Sequence, residues 1–295
     1  MQAFQEFRHM PTAFWAMVKY VSETLGYTVR GQGIVRTYSI EEIDSLVSQN
    51  GIVVDYDTIE TAKLYFDMRA DLLNNVVRYN LMNADEAKEA FEHLYPLHRD
   101  DDFKCKLPMN KQKGAMRQVA FFTAIINIIA EDTIRHSSIY DGSLGFNDDP
   151  RGLVYVFDDE NHIIGASSRR FDGAYPNIIN PRIVWEIKEY YYATTFGSRV
   201  ADGVYETQLD GWELREVKES LGIYTAHYLI TDDYFTWWEK GKSYLCRIID
   251  SMHMGLLTEA LFGKEVIERI PELVNIWIKD ADKEKQPLDL FNSCN

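Results

Sequence analysis

Cysteine is scarce in this chain. Cys105, Cys246 and Cys294 are odd in number and far apart, which excludes a disulfide framework and any CxxC pair for zinc or redox chemistry. Cys246 and His253 share one face of a helical stretch, but no second pair completes a zinc site. Long apolar runs are missing as well. No stretch reaches the roughly 18 to 20 residues that a spanning helix needs, so no membrane association is expected. The opening "MQAFQEFRHMPTAFWAMVKYV" carries charges and Pro11 where a secretory signal would be unbroken and apolar, so the expected compartment is cytoplasmic. Positive charge is in deficit: 31 Lys and Arg against 46 Asp and Glu give a formal net charge of −15. That balance excludes a protein held on nucleic acid by bulk charge, because neutralising phosphates takes clustered Lys and Arg. It leaves room for an enzyme whose cleft collects carboxylates for metal ions. No P-loop, GxGxxG, HExxH or GxSxG lies in a fitting context.

What is present is ordinary globular material: 295 residues, 46% of them hydrophobic, enough for one large domain or two small ones. Residues 1–100 read as a helical region. "PTAFWAMVKYVSETLGY" has helical spacing and stops near Gly26, and "SIEEIDSLVSQNG" opens with Ser39 and Glu42 in a capping box. "TIETAKLYFDMRADLLNNVVRYNLM" and "NADEAKEAFEHLY" continue the pattern. The connection "SQNGIVVDYD" is longer than a helix-turn-helix turn, so a plain bundle that binds DNA or a second subunit is expected. Residues 101–115, polar and holding Pro108 and Gly114, read as a linker. Its lysines Lys104, Lys106, Lys111 and Lys113 read as a solvated loop rather than a phosphate contact.

Residues 116–295 change character to α/β. "MRQVAFFTAIINIIAEDTIRH" is a nearly all-apolar, hence buried, helix, and "GLVYVFDDENHIIGASS" reads as a hairpin turning at Asp159, Glu160 and Asn161. The run "IVWEIK" is a buried strand; "SRVADGVYETQLDGWELREVKESLG" is a helix capped by Ser198; "YTAHYLIT" is a second strand. Two closing helices are expected, in "SYLCRIIDSMHMGLLTEALFG" and "KEVIERIPELVNIWIKDA".

The chemistry lies in the strand. Alternation puts Glu186 and Lys188 on one face, and buried charges are uncommon unless paired or held by a ligand. The acid-x-Lys triplet alone is uninformative, since it recurs at Glu86, Asp102 and Glu216. Only this copy lies in a strand. Fourteen residues upstream, Asp172 sits in the turn "RRFDG", and Glu131 ends an apolar helix where an acid needs a partner. Three carboxylates and an amine converging would make a divalent-metal site beside a positioned water. The plain alternative is a structural ion pair.

The order Glu131, Asp172, Glu186, Lys188 resembles the PD-(D/E)xK nuclease superfamily, and within it type II restriction endonucleases. Phe171 replaces the Pro that usually precedes the first Asp. The resemblance covers about residues 116–240. It implies a mixed α/β fold with a restriction-endonuclease-like central mixed sheet flanked by helices. It also implies Mg²⁺ (or Mn²⁺) at Asp172 and Glu186, a water positioned by Lys188, and Glu131 completing the metal site. The implied partner is double-stranded DNA, cut by a homodimer with a methyltransferase in the same system.

Arg169 and Arg170 could grip a DNA backbone. Ser198 and Arg199 could receive a phosphate at a helix start, and Tyr205 and Gln208 lie one turn apart further along that helix. For each of these an ordinary turn, cap or surface role is the competing reading, as it is for Asp232 and Asp233 at a strand end. The aromatic runs "KEYYYATTF" and "DYFTWWEKGKSY" suit base stacking but suit a core better. The rival class is a binding protein that keeps the fold without catalysis, or an acidic mimic of DNA, which the charge favours. A defence or repair nuclease of the same fold is the nearer alternative.

Overall fold

The computed structural model describes residues 1–29, 31–191 and 197–285. Three helices come first, α1 (Thr12–Leu25), α2 (Ile40–Gln49) and α3 (Tyr56–Leu72). The expected capping box starts α2: Glu42 N donates to Ser39 Oγ at 3.2 Å, and Ser39 N donates to the Glu42 carboxylate at 2.9 Å. Phe14, Trp15, Val18, Ile43, Tyr65 and Phe66 close a core between the three helices. A π-helical stretch, Leu73–Val77, carries α3 into the short α4 (Arg78–Asn80).

Next comes α5 (Ala84–Asp100), which packs on α6 (Phe121–Arg135), with the Phe91 and Phe121 rings 5.3 Å apart. It therefore belongs to the main core rather than to the helical region in which the sequence reading placed it. The segment read as a linker is anchored too. Phe103 and Cys105 are buried in that core, so apolar side chains rather than polarity decide where it runs.

The hairpin is present as β1 (Tyr155–Phe157) and β2 (Ile163–Ala166). The central sheet has the order β3 (Gly173–Tyr175), β4 (Ile183–Lys188), β5 (Ala226–Thr231), β6 (Glu259–Phe262). β3 runs antiparallel to β4, while β4, β5 and β6 are parallel, so the fold is mixed α/β. Helix α7 (Ser198–Leu221) links β4 to β5, and α8 (Lys242–His253) links β5 to β6; α9 (Glu265–Lys285) ends the fold. The last sheet strand departs from the sequence reading, which ran one helix across it. Gly255, at φ 73°, lies in the break after α8, and "EALF", composed of good helix formers, is drawn into the sheet by pairing with β5.

Alternation along β4 decides the two layers. Ile183, Trp185 and Ile187 join the core that α6 and α9 build, where the Trp185 and Trp277 rings stack at 5.6 Å. Val184, Glu186 and Lys188 turn to the α7 side. The N-terminal helices dock on α8 through Asp250, which accepts from Tyr65 Oη at 2.6 Å and from Arg69 Nη1 at 3.0 Å. Among the described residues no helix is long and apolar enough to cross a membrane.

Candidate active site

All six residues of β4 are buried, so Glu186 and Lys188 must find partners inside the protein. Lys188 Nζ donates to Glu186 Oε1 at 2.7 Å. Asp172 stands just before β3, directly across from Glu186. Its amide donates to the Trp185 carbonyl at 3.1 Å, and its Oδ2 accepts from Ile187 N at 2.8 Å. Those two bonds bracket Glu186 and set the carboxylates side by side at the β3–β4 edge. The residue after Asp172 has to be glycine: a Cβ on Gly173 would lie 1.9 Å from the Trp185 indole.

Helix α7 closes the site from above. Its inward stripe is Val200, Gly203, Val204, Thr207, Asp210 and Gly211, made of small residues that let the helix approach the sheet. One turn after Gly203, Glu206 brings Oε2 to 3.3 Å from Lys188 Nζ. Arg169, in the turn after β2, reaches in between. Its Nη2 donates to Glu186 Oε1 at 2.7 Å and lies 3.3 Å from Glu206 Oε2, and its Nη1 donates to Asp210 Oδ2 at 2.8 Å. Four carboxylates, Asp172, Glu186, Glu206 and Asp210, thus face two cations, Arg169 and Lys188. Among the described residues, Glu186 Oε2 and Asp210 Oδ1 are buried without a hydrogen-bond partner.

The pKa values follow this crowding. Burial, then the negative Glu186, pushes Asp172 up to about 6. Asp172 keeps open surface, so solvent screens part of that push. Burial raises Asp210 to about 7 against the pull of Arg169. For Glu186 burial acts upward too, but Lys188 and Arg169 outweigh it and hold the carboxyl below the usual range. The same pairing holds Lys188 above the usual lysine range in spite of burial. Neighbouring acids with divergent pKa values are a pattern that functional sites favour.

Glu131 is the correction. Its carboxylate accepts from Lys104 N at 2.9 Å, from Cys105 N at 2.7 Å and from Arg135 Nε at 3.1 Å, and so pins the 101–115 segment to α6. At the sheet end of α6 stands Glu189, accepting from Phe122 N at 3.3 Å and from Thr123 N at 3.0 Å. Glu131 lies nine residues on, about 13 Å along the axis at the α-helical rise. Its partners are two backbone amides and Arg135, not the site.

The weaker candidates divide. Arg169 is inside the site, whereas Arg170 is exposed. Ser198 is the exposed first residue of α7; Gly197, at φ 130°, holds the cap position, and no side chain caps it. Arg199 is exposed, and its carbonyl accepts from Tyr190 Oη at 3.1 Å. Gln208 points to α8, donating to Ser251 Oγ at 2.9 Å. Tyr205 is exposed. Asp232 Oδ2 accepts from Tyr190 N at 2.5 Å, and Asp233 caps the helical turn Tyr234–Lys240. Tyr192 to Phe196, and Cys294, lie outside the described residues.

Sequence reasoning missed Asp210, Glu206 and Glu189. Asp210 falls in the inward stripe of α7, but that stripe is defined only by the packing of the helix on β4. Glu206 is half-exposed and carried no readable signal.

A divalent cation suits this donor set. Among the described residues no group of three or more His, Cys, Asp or Glu is disposed to hold a metal ion. Mg²⁺ takes one or two protein carboxylates and completes its shell with water and substrate phosphate. Asp172 and Glu186 Oε2, which has no partner among the described residues, would be that pair.

Two family models match the chain. One, described as Domain of unknown function (DUF7690), matches residues 1–76. The other, Domain of unknown function (DUF7687), matches residues 82–277. The division falls just before α5, where the packing of α5 on α6 also puts it. No curated protein and no solved structure matches the chain. The DUF7687 model covers about two-thirds of the sequence and every residue of the site just described, and the chain belongs to that family.

Proposed function

We propose that the protein is a metal-dependent endodeoxyribonuclease of the PD-(D/E)xK type, cleaving double-stranded DNA as a sequence-specific restriction endonuclease does. The observation that carries the reading is the placement of Asp172 across from Glu186, with Lys188 Nζ 2.7 Å from Glu186 on the same face. The mixed sheet, one antiparallel strand followed by parallel ones around a helical crossover, supports it.

Asp172 and Glu186 would hold Mg²⁺ or Mn²⁺, which when bound supplies charge neutralisation at the phosphate and acidifies water. Lys188 does the rest from the protein side. Its ammonium, fixed by Glu186 and Glu206, would be the buried proton donor that orients a water and meets negative charge growing on the phosphate. Burial of the whole strand keeps that ammonium in one place. Cutting both strands of a duplex needs two such sites, so the working form is a homodimer in the cytoplasm, paired with a methyltransferase that protects the host's own sites.

The test is cleavage of supercoiled and linear DNA with Mg²⁺, with EDTA, and with Lys188→Ala once its thermal unfolding matches wild type. Discrete bands that need the metal and vanish in the variant support the reading. A smear keeps the nuclease and removes the sequence specificity. No cleavage of any DNA, with no stabilisation by metal, overturns it in favour of a binding protein of the same fold.

A further inference from the structure

Two positive groups converge on a single oxygen. Arg169 Nη2 and Lys188 Nζ each lie 2.7 Å from Glu186 Oε1. Together they place on one carboxylate the charge that a divalent ion would bring. Lys188 belongs to the strand, is buried, and has Glu206 Oε2 as a second partner at 3.3 Å. Arg169 differs in kind: it arrives from the turn after β2, and its side chain keeps 26% of its surface.

The backbone that carries Arg169 is held. Ser167 Oγ donates to the Arg169 carbonyl at 2.8 Å, and Ser168 N donates to Glu213 of α7 at 3.0 Å. The guanidinium is held at its other edge as well, by Asp210, whose Oδ1 is buried and has no partner among the described residues. Its two contacts are made by different nitrogens, Nη2 on Glu186 and Nη1 on Asp210.

We propose that Arg169 is the resident cation of the Glu186 site, that Asp210 is the residue positioning it, and that a divalent ion enters only by displacing it. This rests on the metal-site reading above. A full positive charge 2.7 Å from Glu186 Oε1 opposes a second cation on the same carboxylate by direct repulsion, even at the other oxygen. Removing the guanidinium leaves Glu186, Glu206 and Asp210 with one neighbouring cation where there were two, and the site then favours Mn²⁺ more strongly. The arrangement keeps the site filled until metal is plentiful, and it sets the metal requirement through a residue that is not a metal ligand.

The experiment is direct Mn²⁺ binding, read from the electron paramagnetic resonance of the free ion, on the full chain without DNA. Arg169→Gln is expected to bind Mn²⁺ at least tenfold more tightly than wild type. Asp210→Asn removes one anchor of the guanidinium and is expected to tighten binding about threefold. It serves as the measurement if Arg169→Gln does not fold. Wild-type or weaker affinity in the folded variants, with wild type itself binding Mn²⁺, overturns the displacement and leaves the nuclease reading intact. Absence of Mn²⁺ binding in wild type and variants alike overturns both.

Discussion

Asp172 and Glu186 sit across the β3–β4 pair from each other, and the Ile187 amide that would have joined the ladder donates to the Asp172 side chain at 2.8 Å instead. A carboxylate has replaced a carbonyl in the sheet. The substitution fixes the acid by backbone geometry, so its position does not depend on a rotamer choice at the surface.

Gly203 is the place where α7 touches Lys188. A Cβ there would stand 2.7 Å from Tyr190 Oη and 3.2 Å from Lys188 Cε. In an open helix interior Gly→Ala gains up to about 1 kcal/mol. Here Gly203→Ala is expected to lose about 1 kcal/mol in urea unfolding, because the side chains must shift. A gain would show that Lys188 is not pinned from this side.

Glu131→Gln separates a structural acid from a site acid. The buried carboxylate serves two amides and Arg135, so its neutralisation is expected to cost about 2 to 4 kcal/mol of stability. The rate of DNA cleavage per folded molecule should stay within a few-fold of wild type. A fall of a hundredfold in folded protein would return Glu131 to the site.

His227 lies under the site face of β5, its Nδ1 3.0 Å from the Leu256 carbonyl, and burial pushes its pKa down to about 4. The unfolded chain takes up this proton near the ordinary value of 6.5, so its contribution is complete above that pH and is lost as pH falls from 6.5 to 4. The raised acids Asp172 and Asp210 act with the opposite sign, since their folded forms hold protons that the unfolded chain releases. The quantity to measure is therefore the difference between wild type and His227→Gln in unfolding free energy across that window. It should narrow, in favour of the variant, by as much as about 3 kcal/mol on acidification. A pH-independent difference would mean that His227 does not stay neutral.

Arg69 and Asp250 join the N-terminal helices to α8, with Arg69 fully buried. Asp250→Asn leaves that guanidinium without its counter-charge and is expected to cost about 3 to 5 kcal/mol. The double variant Arg69→Met, Asp250→Leu should recover most of the loss in chemical denaturation. A double variant as unstable as the single one would show that packing, not charge, sets the cost.

The strand β4 was legible because β-branched and aromatic residues crowd around two charges, a pattern that leaves few alternatives. Its partner Asp172 was legible by proximity in sequence. The strand β6 was not, since Glu259, Ala260, Leu261 and Phe262 prefer a helix when read alone, and only the free edge of β5 makes them extended. For Glu131 the reading was half right in physical terms. A carboxylate in an apolar helix does need a partner, but nothing local distinguishes a metal from the amides of a segment some 27 residues away. Asp210 needed tertiary information of the same sort, namely which side of α7 meets β4.

The end of β4 leaves no room for insertions or deletions. Trp185 and Ile187 must face α6, Glu186 and Lys188 must face α7, and Glu189 must reach the first amides of α6. Five consecutive positions answer in turn to two different helices, and adding or removing one residue turns every side chain beyond it to the wrong layer. Length changes should therefore be intolerable between 185 and 189 and harmless in the exposed turn of the hairpin at 158–162. A scan of single-residue insertions would trace the site without a substrate in hand, as the stretch of chain that cannot change length.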